Sequence, residues 1–258
     1  MIGPAQRIGI FARSFFVQAA WNAERMQNVG FLFALRPALK RIWEGDQTGF
    51  EESCARAYAF VNTHPYFAPA VMGVALHIED KIATGLALPE RVDEAKTRIT
   101  GPLNALGSLW FWDHLRLLSF LAALPIILFS SPAAVAAGGC LFFLIFNFFH
   151  LRTRWVGLTL GLRHGEDMLP DLLSLFPPRL LQSFRRASAF LIGLLTPVLL
   201  VIVSERLPPP APGPFSALVS GLVMAVTAML VIHRRWLSVY QLLTLALALA
   251  VGVARWAL

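Results

Sequence analysis

The run LLSFLAALPIILFSSPAAVAAGGCLFFLIFNFF, residues 117–149, decides the fold class, because over 33 positions it holds no Asp, Glu, Lys or Arg. A membrane-crossing helix needs about 20 predominantly apolar residues, so this run is long enough for two short crossings or for a hairpin broken near Ser130, Ser131 and Pro132. Working outward, residues 187–204, 215–232 and 237–254 are each uncharged for 18 positions, just enough for one crossing apiece. Between the first and second of these three runs, Pro208-Pro209-Pro210-Ala211-Pro212-Gly213-Pro214 reads as a stiff extended connection, and between the second and third His233-Arg234-Arg235-Trp236 makes a tight basic turn. Composition agrees: 57% of the 258 residues are hydrophobic, 14% are charged, and the mean hydropathy is +0.63. The expected fold is all-α, a polytopic integral membrane protein with about five membrane segments. Residues 1–116 form an N-terminal helical region and residues 117–258 the transmembrane helical region.

Charge orients these segments. With the N-terminal region inside, residues 1–116, 150–186 and the 233–236 turn face the cytoplasm and hold 20 of the 22 Lys and Arg, leaving Arg206 and Arg255 outside. A pI near 10.2 then reflects membrane orientation, and no nucleic-acid module is visible. Arg7 and Arg13 interrupt the first residues, so no cleavable signal is expected. Cys54 lies in a polar segment and Cys140 in a predicted span, which argues against a disulfide, and the six histidines are scattered without metal-type spacing. No Gly-rich phosphate loop with a Lys and no Gly-x-Ser-x-Gly nucleophile motif occurs. The sequence predicts no cofactor, no metal and no self-contained catalytic centre.

The N-terminal half carries the polar patterns. Residues 11–36 lack Pro and read as one long helix ending near Pro37, on which Gln18, Trp21, Asn22 and Arg25 recur at i, i+3, i+4 and i+7. An amide, an indole, an amide and a guanidinium on one face can hydrogen-bond sugar hydroxyls or knit two membrane subunits, or form a plain solvated face. Residues 50–61 suggest a second, amphipathic helix. Asn62-Thr63-His64-Pro65 interrupts it, because Pro65 disfavours helix at His64. That interruption offers an amide, a hydroxyl and an imidazole to a sugar, or is an ordinary Asx-type junction. Residues 66–78 are apolar and residues 79–98 polar. Residues 101–108, with Gly101, Pro102, Asn104, Gly107 and Ser108, suggest a re-entrant turn or a linker leading to the aromatic belt of Trp110 and Trp112. Asp113 and Arg116 can pair at the entrance to the apolar run, as a functional pair or as an interfacial anchor. Arg152, Arg154, Arg185 and Arg186 read as inside-facing stops, and Glu166, Asp167 and Asp171 as a partner-docking patch or solvated loop acids.

Several strings also resemble a known family. Arg13-Ser14, Gln18, Trp21-Asn22, Glu24-Arg25-Met26-Gln27, Gly30-Phe31, Pro37-Ala38, Phe60-Val61-Asn62-Thr63-His64-Pro65 and Gly101-Pro102-Leu103 resemble the enzyme IID subunit of mannose, fructose and sorbose type sugar phosphotransferase systems (PTS). The likeness continues more weakly through Phe111-Trp112, Leu115-Arg116 and residues 142–165. It implies a bacterial inner-membrane protein that assembles with an enzyme IIC subunit into a hetero-oligomer within membrane lipid. The pair would carry a hexose across the bilayer while a soluble IIAB protein phosphorylates it inside, and the IID subunit would not itself be phosphorylated. The expected sugar path then draws on Asn62, Thr63 and His64, with Gln18, Trp21, Asn22, Arg25, Asn104, Ser108 and Asp113. Family members usually carry Ala-Gly followed by Gly-Asp where this chain has Asn104-Ala105 and Gly107-Ser108, and Asp113 stands five residues beyond Ser108. A second function is therefore kept open, a membrane-bound regulatory or scaffold homologue that no longer moves sugar.

Overall fold

The computed structural model describes residues 2–129 and 131–206, and all regular structure within them is helical apart from two isolated β-bridges. Helix α1 is Pro4–Arg13, followed by a 3-10 turn at Ser14–Phe16; α2 is Asn28–Ile42, α3 Gln47–Tyr58 and α4 Ala68–Ala83. Helix α5 is Arg91–Gly107, continuing through a π-helical segment at Ser108–Leu115 into α6, Arg116–Ile127. Helix α7 is Pro132–His164; a 3-10 turn at Gly165–Met168 leads to α8, Leu169–Ser174, and then to α9, Pro178–Arg206. Contacts divide the chain into two compact units, Met1–Ser188 and Ala189–Leu258, and the description below concerns the first.

Two helical stretches, Arg91–Ile127 and Pro132–Ser174, are long and apolar enough to cross a membrane. The break expected near residues 130–132 lies between them. There Ser131 caps α7 by accepting the Ala134 N–H at 3.1 Å, and Pro132 sits in the first turn, where its missing N–H costs nothing. Only 11% of the most apolar part of the second stretch is buried, so α7 presents most of its circumference outward. The predicted crossing at residues 187–204 is helical within α9. Those at 215–232 and 237–254, with the turns at 208–214 and 233–236, lie outside the described residues.

Helix α4 is the core of the unit. Ala68 through Leu76 are all buried, the pattern of a helix covered on every side. Its broadest interface is with α7, and glycines set the distance: a Cβ on Gly73 would stand 2.6 Å from the Leu158 carbonyl oxygen, and one on Gly161 2.5 Å from that of Ala70. Beside this interface Arg56 of α3 forms a two-pronged ion pair with the buried Glu79 of α4, at 2.8 and 2.9 Å, while Trp43 Nε1 donates to the same carboxylate at 3.2 Å. The Glu79 carboxylate holds the Arg56 guanidinium above its already high value.

Three expectations for the first half are corrected. Residues 11–36 are not one helix: α1 ends at Arg13 and α2 begins at Asn28, with an irregular segment between. Asn22 makes the break, its Oδ1 accepting the Arg25 N–H at 2.8 Å while its backbone exchanges hydrogen bonds with Met26, whose φ of 55° no helix contains. Gln18, Trp21, Asn22 and Arg25 therefore share no helical face. Helix α2 instead runs through Pro37 to Ile42, because Ala34, Leu35, Ala38 and Leu39 bury one face on both sides of the proline while Pro37 itself is exposed. Residues 101–107 form no re-entrant turn but the last turns of α5, with Pro102 exposed and Leu103 and Gly107 buried.

Candidate functional site: two loops joined by a polar clamp

The irregular segment before α2 and the interruption after α3 meet. Gln27 spans the gap: its Nε2 donates to the Thr63 carbonyl at 2.7 Å, its Oε1 accepts the Thr63 N–H at 3.3 Å, and its own backbone N–H donates to the Val61 carbonyl at 3.0 Å. One side-chain amide thus satisfies both backbone groups of Thr63, as a neighbouring strand would. Asn22 Nδ2 donates to Asn28 Oδ1 at 2.8 Å, and Asn28 Nδ2 donates to the Tyr58 carbonyl at 3.2 Å, tying the same loop to the end of α3. Gln27, Asn28 and Thr63 are buried. The Trp-Asn-x-Glu-Arg-Met-Gln string and the Phe-x-Asn-Thr-x-Pro string are therefore two halves of one junction.

Above the clamp the loops reach the surface. Trp21 is 55% exposed, Gln18, Arg25 and Asn62 are also exposed, and the Arg25 guanidinium lies 5.4 Å from the Tyr58 ring centroid. Thr63 turns inward, its hydroxyl reaching the Thr100 carbonyl of α5 at 3.5 Å. His64 is buried among Tyr66, Phe67, Phe111 and Trp112, stacked on Phe111 with ring centroids 5.6 Å apart, and its Nε2 has no hydrogen-bond partner among the described residues. Its ring lies so close over Gly107 that no Cβ fits there. Ser108 is half-buried at the start of the π segment, and Asn104 and Asp113 are exposed. Asn22, Thr63 and His64 are thus brought into one junction with α5, whereas no hydrogen bond among the described residues joins Asn104 or Asp113 to it.

A second polar cluster was not anticipated. Arg154, expected as an inside-facing stop, is buried: its Nη1 donates to the Ser14 carbonyl at 3.0 Å and to Ser14 Oγ at 2.9 Å, and its Nε donates to His150 Nε2 at 2.7 Å. That bond makes Nε2 the acceptor and leaves the His150 proton on Nδ1, which faces Asn147 Oδ1 at 3.1 Å. The rings of Phe15 and Tyr66 lie 4.6 and 5.5 Å from the guanidinium carbon. Asn147, His150 and Arg154, at i, i+3 and i+7 on one face of α7, were the signal available in the sequence.

Glu166 proves to be an internal tie, not a free acid: it pairs with Arg91 and Arg98 of α5, while His77 Nδ1 meets the Leu162 carbonyl at 3.1 Å. Among the described residues no group of three or more His, Cys, Asp or Glu converges as a metal site.

These features define a class: an all-helical membrane protein whose polar groups join irregular loops to the ends of apolar helices. The family model for the PTS system mannose/fructose/sorbose family IID component matches residues 2–208, and the chain belongs to that family. The mannose-specific EIID component of Escherichia coli strain K12 is 32% identical over 188 residues, 72% of this chain and 65% of that protein. The aligned part is thus just under two thirds of that relative's length. A solved structure described as a membrane protein is 30% identical with a TM-score of 0.66, covering 75% of this chain and 70% of the other. The cryo-EM structure of the mannose transporter ManYZ with microcin E492 shares the fold, with a TM-score of 0.60 at 23% identity over 100% of this chain and 97% of that one.

Proposed function

We propose that the chain is the IID membrane subunit of a sugar permease, translocating a hexose together with an enzyme IIC subunit while a separate IIAB protein phosphorylates the sugar on the cytoplasmic side. The observation that carries the reading is the junction of residues 22–28 with 61–63, which spends the two most family-specific strings on presenting one surface. At and just before that junction the exposed Gln18, Trp21, Arg25 and Asn62 offer an aromatic face, two amides and a cation, the groups that grip sugar hydroxyls. Thr63, His64 and Asn22 act in this reading as the support beneath them, and Ser108, Asn104 and Asp113 as the neighbouring wall.

The proposal includes about five membrane segments, an N-terminus inside and a C-terminus outside the bacterial inner membrane. Its support is the charge split, together with the tie between Glu166 and Arg91 and Arg98, which joins two segments that charge assigns to the same side. No observation favours a regulatory homogue without transport over this reading, in which the chain moves sugar as part of a hetero-oligomer. The test is sugar uptake in membranes holding the IIC subunit and all phosphoryl carriers, with and without this chain, and with Asn62→Ala. One hydrogen bond to a sugar hydroxyl is worth about 0.5–1.5 kcal/mol, so the variant raises the apparent KM roughly 2- to 13-fold with the complex intact. Uptake that proceeds equally without the chain refutes the function, and an unchanged KM removes Asn62 from the path.

A further inference from the structure

Arg154 holds its charge in an unusual setting. It is 3% exposed, sits on a helix long and apolar enough to cross a membrane, and pairs with no carboxylate among the described residues. Its partners are neutral: a carbonyl, a hydroxyl, an imidazole nitrogen and two ring faces. Those bonds use Nη1 and Nε. Nη2, with two N–H groups, makes no hydrogen bond among the described residues. Removing a cation from water costs several kcal/mol unless an anion compensates, and a charge on a membrane helix marks a functional position by default. An arginine that only stops a helix at the membrane surface extends its head outward to water and headgroups, and Arg152, two residues away, is exposed. Arg154 is instead held inward with its fork partly filled.

The surroundings are those of an interface centre. Phe15, stacked against the guanidinium, is 43% exposed, and Leu151 and Trp155, on the same stretch of α7, are each 41% exposed. Phe11 links Phe15 to Trp155 through edge contacts at 5.4 and 5.5 Å, so aromatic side chains form a connected rim beside the cation. A desolvated charge inside an apolar, aromatic rim is the arrangement that concentrates binding energy between proteins.

We propose that the Arg154 fork is the docking point for an acidic side chain, Asp or Glu, supplied by the IIC-type membrane subunit, and that Phe15, Leu151 and Trp155 form the apolar rim of that contact. The proposal rests on the two-subunit reading above. The occupant follows from charge complementarity: Nη2 can donate a charge-assisted hydrogen bond to a carboxylate oxygen, and a dry rim of rings protects such a pair from water. Ser14 and His150 preset the fork before the partner arrives, so the pair forms without a further ordering cost.

The experiment co-expresses the full chain with its IIC-type partner and measures complex recovery and dissociation in neutral detergent. If the wild-type chain does not assemble, the two-subunit reading fails, and this inference with it. With wild-type assembly established, Arg154→Gln should weaken the complex about 100-fold, because it strands the partner's acid. Neutralising the partner's membrane-segment acids one at a time should find one that phenocopies Arg154→Gln, and combining that change with Arg154→Gln should restore most of the affinity, since neither charge is then stranded. Arg152→Gln removes a neighbouring exposed cation on the same helix and should leave dissociation within a few-fold of wild type. A complex indifferent to Arg154→Gln overturns the inference, as does a loss matched by Arg152→Gln, or the absence of any acid that phenocopies. Where Arg154→Gln does not fold, a photo-crosslinking residue at the exposed Leu151 decides, with Arg154 intact. Capture of the partner beside an acidic residue supports the contact, and capture of lipid alone, or of nothing, refutes it.

Discussion

Replacing Gln27 by Met isolates the clamp, since Met keeps the length and unbranched shape of Gln and removes only its polar atoms. Thr63 then loses a donor at 2.7 Å to its carbonyl and an acceptor at 3.3 Å from its N–H, and both backbone groups stay buried. A buried polar group left unpaired costs about 1–3 kcal/mol; the short bond counts toward the upper part of that range and the long one toward the lower, so the loss is about 3 kcal/mol. The loop carries this cost locally, and on the scale of tenfold per 1.4 kcal/mol its opening becomes more than about 100 times more frequent. Hydrogen–deuterium exchange of the protein in detergent reads this directly: amides of Val61 to His64 should exchange about 100-fold faster in Gln27→Met, while those in the middle of α4 keep their protection. Gln27→Glu should do worse, because a carboxylate oxygen would face the Thr63 carbonyl where an N–H now stands. Wild-type protection at Thr63 in Gln27→Met would refute the view that this amide holds the two loops together.

Glu79→Gln removes the buried charge that compensates the Arg56 guanidinium and leaves it, among the described residues, the solvent-exposed Glu52 at 3.8 Å as ion-pair partner. The expected loss is about 3 kcal/mol in denaturant titration, largely recovered by the double change to Met at both positions, and a loss below about 1 kcal/mol would show that the pair contributes little. Gly161→Val places methyl groups where even a Cβ stands 2.5 Å from the Ala70 carbonyl oxygen, so α4 and α7 must part, at a cost of about 1–3 kcal/mol. A melting temperature equal to that of the wild type would mean that the two helices separate freely.

The two apolar helical stretches and the break between them were legible because their signals are local. A 33-residue uncharged run containing Ser131 and Pro132 dictates two helices and a break wherever it is placed. The segment before α2 was not legible for the opposite reason. Its spacing of Gln18, Trp21, Asn22 and Arg25 matches a helical face, yet Asn22 bonds its own turn, and Gln27 is drawn to Thr63, 36 residues away. Periodicity records neither effect. Pro37 and Pro102 misled in the other direction: both lie on exposed faces of helices whose opposite faces are buried, so the loss of one hydrogen bond is outweighed by packing. The Asn-Thr-His-Pro interruption was legible as a break, but the roles of its residues were not. Thr63 and His64 point inward because α5 lies beneath them, which only the tertiary fold shows. Arg154 was misread because a basic residue after an apolar run looks the same whether it extends to headgroups or turns inward to Ser14.

The π-helical segment Ser108–Leu115, between α5 and α6, bears on how this chain tolerates change in length. Such a segment holds more residues per turn than the α-helices on either side, so it stores surplus chain without breaking the rod. Removal of a single residue there converts π geometry to α and lets the flanking helices keep their faces, whereas the same deletion in α4 or α7 would rotate every following side chain out of the core. Between Ser108 and Leu115 the loss of one residue is therefore a change of winding and not of fold.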